Sequence, residues 1–128
     1  MGSGLSEMAE RRARKIKRLR ATKGGLMNDS KWAKIFDVII AATGIETARA
    51  KMLDEERLYE MRLKIYSETL RGHTDDWTAG PLKLSEIEYM AVTLPNDTDL
   101  PALAQAINDC GQFEFDLEPG SLTVYGYR

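Results

Sequence analysis

A single cysteine, Cys110, stands in the whole sequence, and that excludes an internal disulfide. There is one histidine, His73, so the clustered His and Cys sets that hold zinc have no material to be built from. No apolar run approaches the roughly 20 residues of a membrane-spanning helix. The basic N-terminus is followed by no apolar stretch of the secretory kind. A Gly-rich phosphate loop, GxSxG, HExxH, a paired-cysteine motif and a DxDxDG calcium loop are all missing. Lone Ser, His and Asp residues occur, yet spacing assigns none of them a base to activate it. The expectation is a cytoplasmic protein without membrane span, metal or cofactor, working by binding. An enzyme whose site is assembled by long-range contacts stays open.

What is present describes one ordinary domain: 128 residues, 43% hydrophobic and 30% charged. The net charge of −2 conceals two unlike parts. Residues 1–26 hold eight Lys and Arg against two Glu, and residues 27–128 hold ten basic against eighteen acidic side chains. A basic arm (1–26) is therefore joined to an acidic body (27–128), a contrast that bears on partners rather than on fold.

The organising stretch is Asn28 to Gly44. Trp32, Ile35, Phe36, Ile39, Ile40 and Thr43 recur at the spacing that lines one helix face, while Lys31, Lys34 and Asp37 fall opposite. Asn28, Asp29 and Ser30 can cap its first turn and Gly44 can take the left-handed exit, which predicts a helix over 30–43. A second helix over 99–110 follows from the Asn96–Asp99 cap, Pro101 in the first turn, and the stripe Leu100, Leu103, Ala104 and Ile107. Cys110 falls in its last turn, where the helix dipole disfavours a thiolate, so it reads as a packing residue.

Strands fill the remainder. Phe113, Phe115 and Leu117 alternate with Glu114, Asp116 and Glu118, and Pro119-Gly120 turns the chain into Leu122, Val124 and Tyr125. Residues 84–94 read as a strand with Glu86 and Glu88 exposed and Ile87 and Tyr89 buried, its apolar parity switching at Met90 and Val92 as across a bulge. Residues 45–53 give neither period, Asp54-Glu55-Glu56 reads as a hairpin turn, and 55–70 stays open between helix and strand. Arg71 to Pro81 is a loop by its turn residues. His73, Asp75 and Asp76 lie too close in sequence to converge on one ion without a further ligand group. The fold class expected is α+β: an antiparallel sheet of about four to five strands, two main helices on one face, and a basic helical arm. Trp32, Phe36, Ile39, Ile40, Leu103, Ile107, Phe115 and Val124 form the expected core.

The arm, Leu5 to Gly25, has good helix formers but few apolar residues, and its plainest reading is a solvated, frayed segment. Its cations Arg11, Arg12, Arg14, Lys15 and Arg18 are candidates for nucleic-acid phosphates. A further reading takes Lys23-Gly24-Gly25-Leu26-Met27 as a stretch encodable by purine-rich codons of the ribosome-binding type, with Met27 as the natural start.

Asn28-Asp29-x-Lys31-Trp32 opening a helix, Glu86-Ile87-Glu88-Tyr89 on a strand and the terminal Tyr125-Gly126-Tyr127-Arg128 together resemble a group of small, uncharacterised bacterial proteins catalogued as a domain of unknown function. The resemblance covers residues 27–128 and implies the fold, with no activity, substrate or catalytic residue to transfer.

Three functional expectations result. The first is a bacterial protein-interaction domain of immunity type, in which Glu114, Asp116 and Glu118 form a carboxylate row with Glu86 and Glu88 beside them and meet a basic partner. Trp77, Asp75 and Asp76 of the loop are further candidates for partner contact. Against it stands the plain reading that these are solvated strand faces kept charged to protect an edge. The second is nucleic-acid binding through residues 11–23, which the acidic body opposes unless arm and body point apart. The third is the enzyme noted above. Partner identity and oligomeric state are open.

Overall fold

The computed structural model describes residues 3–22, 25–64 and 82–128. Loop residues His73, Asp75, Asp76 and Trp77 lie outside the described residues, as does the part of 55–70 beyond residue 64.

The described chain runs α1 (Ser3–Thr22), α2 (Asp29–Thr43), β1 (Thr47–Met52), β2 (Leu58–Arg62), a short 3-10 turn (Leu84–Glu86), β3 (Ile87–Thr93), α3 (Leu100–Cys110), β4 (Phe115–Glu118) and β5 (Ser121–Tyr125). Among the described residues the strands form one antiparallel sheet in the order β2-β1-β3-β5-β4. This is the α+β fold expected from the sequence, with α2 and α3 on one sheet face.

Local chemistry sets the helix ends. The Asn28 side chain accepts from the Lys31 amide at 2.8 Å, and Gly44, at φ 73°, donates its amide to the Ile40 carbonyl. Asp99 caps α3 by accepting from the Ala102 amide at 3.1 Å. Burial of Trp32, Ile35, Phe36 and Ile39 from α2 with Leu103 and Ile107 from α3 closes one face of the sheet. Each such side chain contributes roughly 1.5–3 kcal/mol on leaving water.

Strand β1 resolves the stretch without a clear period. Its inward residues are Ala48, Ala50 and Met52, and Thr47 and Arg49 point away. Two alanines give a weak apolar signal, yet both are buried in the same core as Trp32 and Phe36. Residues 58–62 settle as strand, with Met61 inward.

Four expectations need correction. Glu86 is buried, because the chain from Leu84 makes a 3-10 turn before β3 begins and carries that carboxylate under α1. Tyr89 is half-buried rather than in the core. The register passes from Lys51 opposite Tyr89 to Met52 opposite Ile87, so Glu88 is the extra residue of a bulge and parity changes there. Ile40 and Phe115 are half-buried and pack against the core's margin. Finally, α1 is docked rather than solvated throughout. Ile16, 5% exposed, packs with Leu53 and Tyr127 in a second small apolar cluster separate from the main core, and Leu19 joins it. The chain leaving the arm runs beside the C-terminus, where Gly25 bridges Tyr127 and the Leu26 amide donates to the Gly126 carbonyl at 2.9 Å.

Candidate functional site

The seam between α1 and the body is built from one turn-spaced set of arm residues, Arg12, Ile16 and Leu19. Arg12 Nε lies 2.8 Å from Asp54 Oδ2, and its Nη2 donates to Glu86 Oε2 at 2.7 Å. Both carboxylate side chains are nearly out of water, 7% exposed for Asp54 and 11% for Glu86, while Arg12 remains half-exposed. Burial pulls the Arg12 pKa down, but the hydrogen bond and charge of Glu86, with those of Asp54, more than offset this. The guanidinium therefore titrates above its ordinary value and stays charged. Lys15 Nζ adds a long contact of 3.4 Å to the Asp54 carbonyl. Beneath them Tyr127 donates its hydroxyl to the Ser85 carbonyl at 2.6 Å, tying the C-terminus to the 3-10 turn.

Docking through Arg12, Ile16 and Leu19 fixes what the rest of the arm faces. Arg11, Arg14, Lys15 and Arg18 fall at i, i+3, i+4 and i+7, a single stripe of four cations, and all four are exposed. Lys17 and Arg20 continue the positive charge around the helix and, with Lys83 of the body, border a groove beside Glu86.

Of the expected acidic surface, Glu86 and Glu88 do not extend the row of Glu114, Asp116 and Glu118. Glu86 is spent on Arg12, and Glu88 pairs with Lys51 at 3.0 Å, each side chain 12% exposed. Asp116 accepts the Tyr125 hydroxyl at 2.6 Å and lies 3.8 Å from Arg128. Glu114, Asp116 and Glu118 remain together and exposed along the edge strand β4. Trp77, Asp75 and Asp76 lie outside the described residues.

Two relationships are not visible in the sequence. Asp54 is the turn residue expected, and beside the buried Leu53 it also meets the arm through Arg12. Tyr89 and Tyr125, placed by the sequence pattern in the core and in the return strand, stand directly opposite each other on β3 and β5, ring centroids 6.3 Å apart. The pairing depends on the register between two strands, which neither strand's own sequence encodes.

Among the described residues no group of three or more His, Cys, Asp and Glu is gathered as a metal set, and no helix is long and apolar enough to cross a membrane. Comparison with protein-family models, with curated proteins and with solved structures gives no match to this chain.

Proposed function

We propose that this chain is a non-enzymatic binding domain that engages nucleic-acid phosphates through the outer face of α1. The observation that carries the reading is the stripe Arg11, Arg14, Lys15 and Arg18, exposed on a helix whose opposite flank is bolted to the body. Helical phosphate binding needs cations held at a fixed spacing, and docking by Arg12 and Ile16 supplies the fixture. Docking also answers the objection from the acidic body. Two carboxylates of the body, Asp54 and Glu86, share the Arg12 guanidinium at the seam, which cancels one of their two charges, so they oppose an incoming phosphate less. A screened surface charge acts over a Debye length of about 8–10 Å, so more distant carboxylates count for little at ordinary salt.

A second reading keeps the expected protein partner of basic character. It is favoured by Glu114, Asp116 and Glu118 on and just before β4, the last strand of the described sheet, whose edge is the kind a further strand or a basic segment pairs with. Its weakness is that Asp116 is engaged by Tyr125 and that Glu86 and Glu88 face other partners.

One salt titration decides between them. Binding of a labelled 20-nucleotide probe, strand or duplex, should weaken with a slope of roughly −3 to −4 in log K against log salt if four cations meet phosphates. Reversing Arg11, Arg14 and Arg18 to Glu should abolish most of that slope, while Glu114→Lys with Glu118→Lys should leave it intact. Unchanged binding by the arginine variant would sink the proposal.

A further inference from the structure

The sheet face opposite α2 and α3 carries Tyr89 and Tyr125 side by side. Their neighbours in sequence show which face this is: Met90, Val92, Leu122 and Val124 are buried under the helices, and Tyr89, Ala91, Thr123 and Tyr125 alternate with them on half-buried positions. The two rings are tilted at 58° and belong to neither apolar cluster. The row extends on both sides. Lys51 of β1 is the register partner of Tyr89, and the Arg128 guanidinium lies over the Tyr125 ring at 4.4 Å. Four carboxylates lie on or beside this face: Glu88 is engaged by Lys51 and Asp116 by Tyr125 and Arg128, while Glu114 and Glu118 stand exposed on the β4 side, away from Lys51. Two residues beyond Tyr125, Tyr127 receives Ile16 of the arm, so the cationic helix is anchored at the end of the tyrosine strand.

Resting on the phosphate-binding reading above, we infer that this face takes a single-stranded nucleic acid, with two successive bases stacking on Tyr89 and Tyr125. An aromatic pair on adjacent strands, flanked by cations, matches the two needs of an unpaired strand: a π-face for each base and positive charge for the backbone. That Arg128 already lies on the Tyr125 ring shows that planar cationic groups can reach it, and the guanidinium is placed to move onto a phosphate. A duplex presents no free base faces and cannot use the platform. The ligand class is therefore a single strand, and the arm's stripe serves its backbone.

The test uses the full chain with a labelled dT12 strand and a duplex of equal length, followed by anisotropy at two salt concentrations. The strand should bind at least tenfold tighter than the duplex. Tyr89→Leu with Tyr125→Leu should lower strand affinity by about tenfold or more, the loss that removing base stacking brings, with the salt slope unchanged. Tyr89→Phe with Tyr125→Phe should retain it. Reversal of Arg11, Arg14 and Arg18 should instead flatten the slope for both probes. Because leucine at both sites could loosen the sheet, a wild-type measurement stands beside it: a 5-iodouracil strand irradiated on the unaltered chain should cross-link to Tyr89 or Tyr125. Equal affinity for duplex and strand, leucine variants that are folded and bind like wild type, or cross-links confined to other residues each overturn the platform. With the arginine effect present, those results leave the arm reading standing. Loss of the arginine effect, or no binding at all, overturns both.

Discussion

Arg12 holds Glu86 at 2.7 Å across 74 residues of sequence, and the same guanidinium takes Asp54 at 2.8 Å. One half-exposed cation thus compensates two carboxylates that have little access to water. Arg12→Ala should cost about 1–3 kcal/mol in a urea melt, because it strands both charges rather than removing a single contact. Arg12→Lys should recover only part of this, since an ammonium cannot reach two acceptors with a planar fork. Arg12→Ala in an Asp54→Asn, Glu86→Gln background should cost far less. A full loss there would place the destabilisation in packing rather than in charge.

Gly126 sits where backbone meets backbone. A Cβ on it would stand 2.2 Å from the Ile87 carbonyl oxygen and 3.1 Å from the Trp32 ring, and its amide donates to the Glu88 carbonyl at 2.8 Å. A carbonyl of the bulge cannot yield as a flexible side chain would. Gly126→Ala should destabilise by about 1–3 kcal/mol or more, with loss of the near-ultraviolet signal of the buried Trp32. Gly44→Ala, whose Cβ would meet nothing within 4 Å, tests instead the left-handed φ of 73° and should cost about 1 kcal/mol.

Much of this fold is legible in the sequence because its two body helices carry strong stripes and strong caps. Trp32, Phe36 and Ile39 announce α2, and Asp99 with Pro101 announces α3. The closing hairpin is equally plain, since Pro119-Gly120 turns between two alternating runs. Elements whose inward residues are small escape such a reading, as Ala48 and Ala50 do on β1. The bulge at Glu88 hides Tyr89 for a related reason: one extra residue moves every later side chain to the other face. The seam is illegible because it joins Arg12 to Asp54 and Glu86, and no local period reports a contact so distant in sequence. The three stretches Asn28–Trp32, Glu86–Tyr89 and Tyr125–Arg128, far apart in sequence, meet at one point of packing, where Trp32 and Ile87 close around Gly126.

Tyr125 offers a titration as a reporter of the sheet face it shares with Tyr89. Its hydroxyl donates to Asp116, and that hydrogen bond, then burial, then the carboxylate's charge, raise its pKa above the ordinary 10.0. A folded-state value above the unfolded one means a stabilising contribution fully present below about pH 10 and lost as pH rises through the folded value. Absorbance titration should therefore show late-ionising tyrosines, with Tyr59, which hydrogen-bonds Glu55, titrating late as well. Asp116→Asn should bring one transition back toward the ordinary value, and Tyr125→Phe should delete it. A late phase unaltered by either change would belong to other tyrosines.

Removing residues 1–22 tests whether the arm is a partner of the body or a part of it. Among the described residues the main core contains none from the arm, so the sheet with α2 and α3 should remain folded. Stability should nonetheless fall, because Leu53 and Tyr127 lose the cover of Ile16 and two carboxylates lose their guanidinium. The combined loss is roughly 2–4 kcal/mol, a melting point lower by roughly 10 °C in a domain of this size. The sign of a second change makes the test sharp. In the full chain, Asp54→Asn with Glu86→Gln removes both charges that Arg12 pairs with and should destabilise. In the truncated chain the same substitutions remove stranded charges and should stabilise. Circular-dichroism melts of the four proteins would show this inversion. Equal effects in both backgrounds would mean that the arm does not hold those carboxylates in solution. A truncated chain that fails to fold would make the arm part of the core.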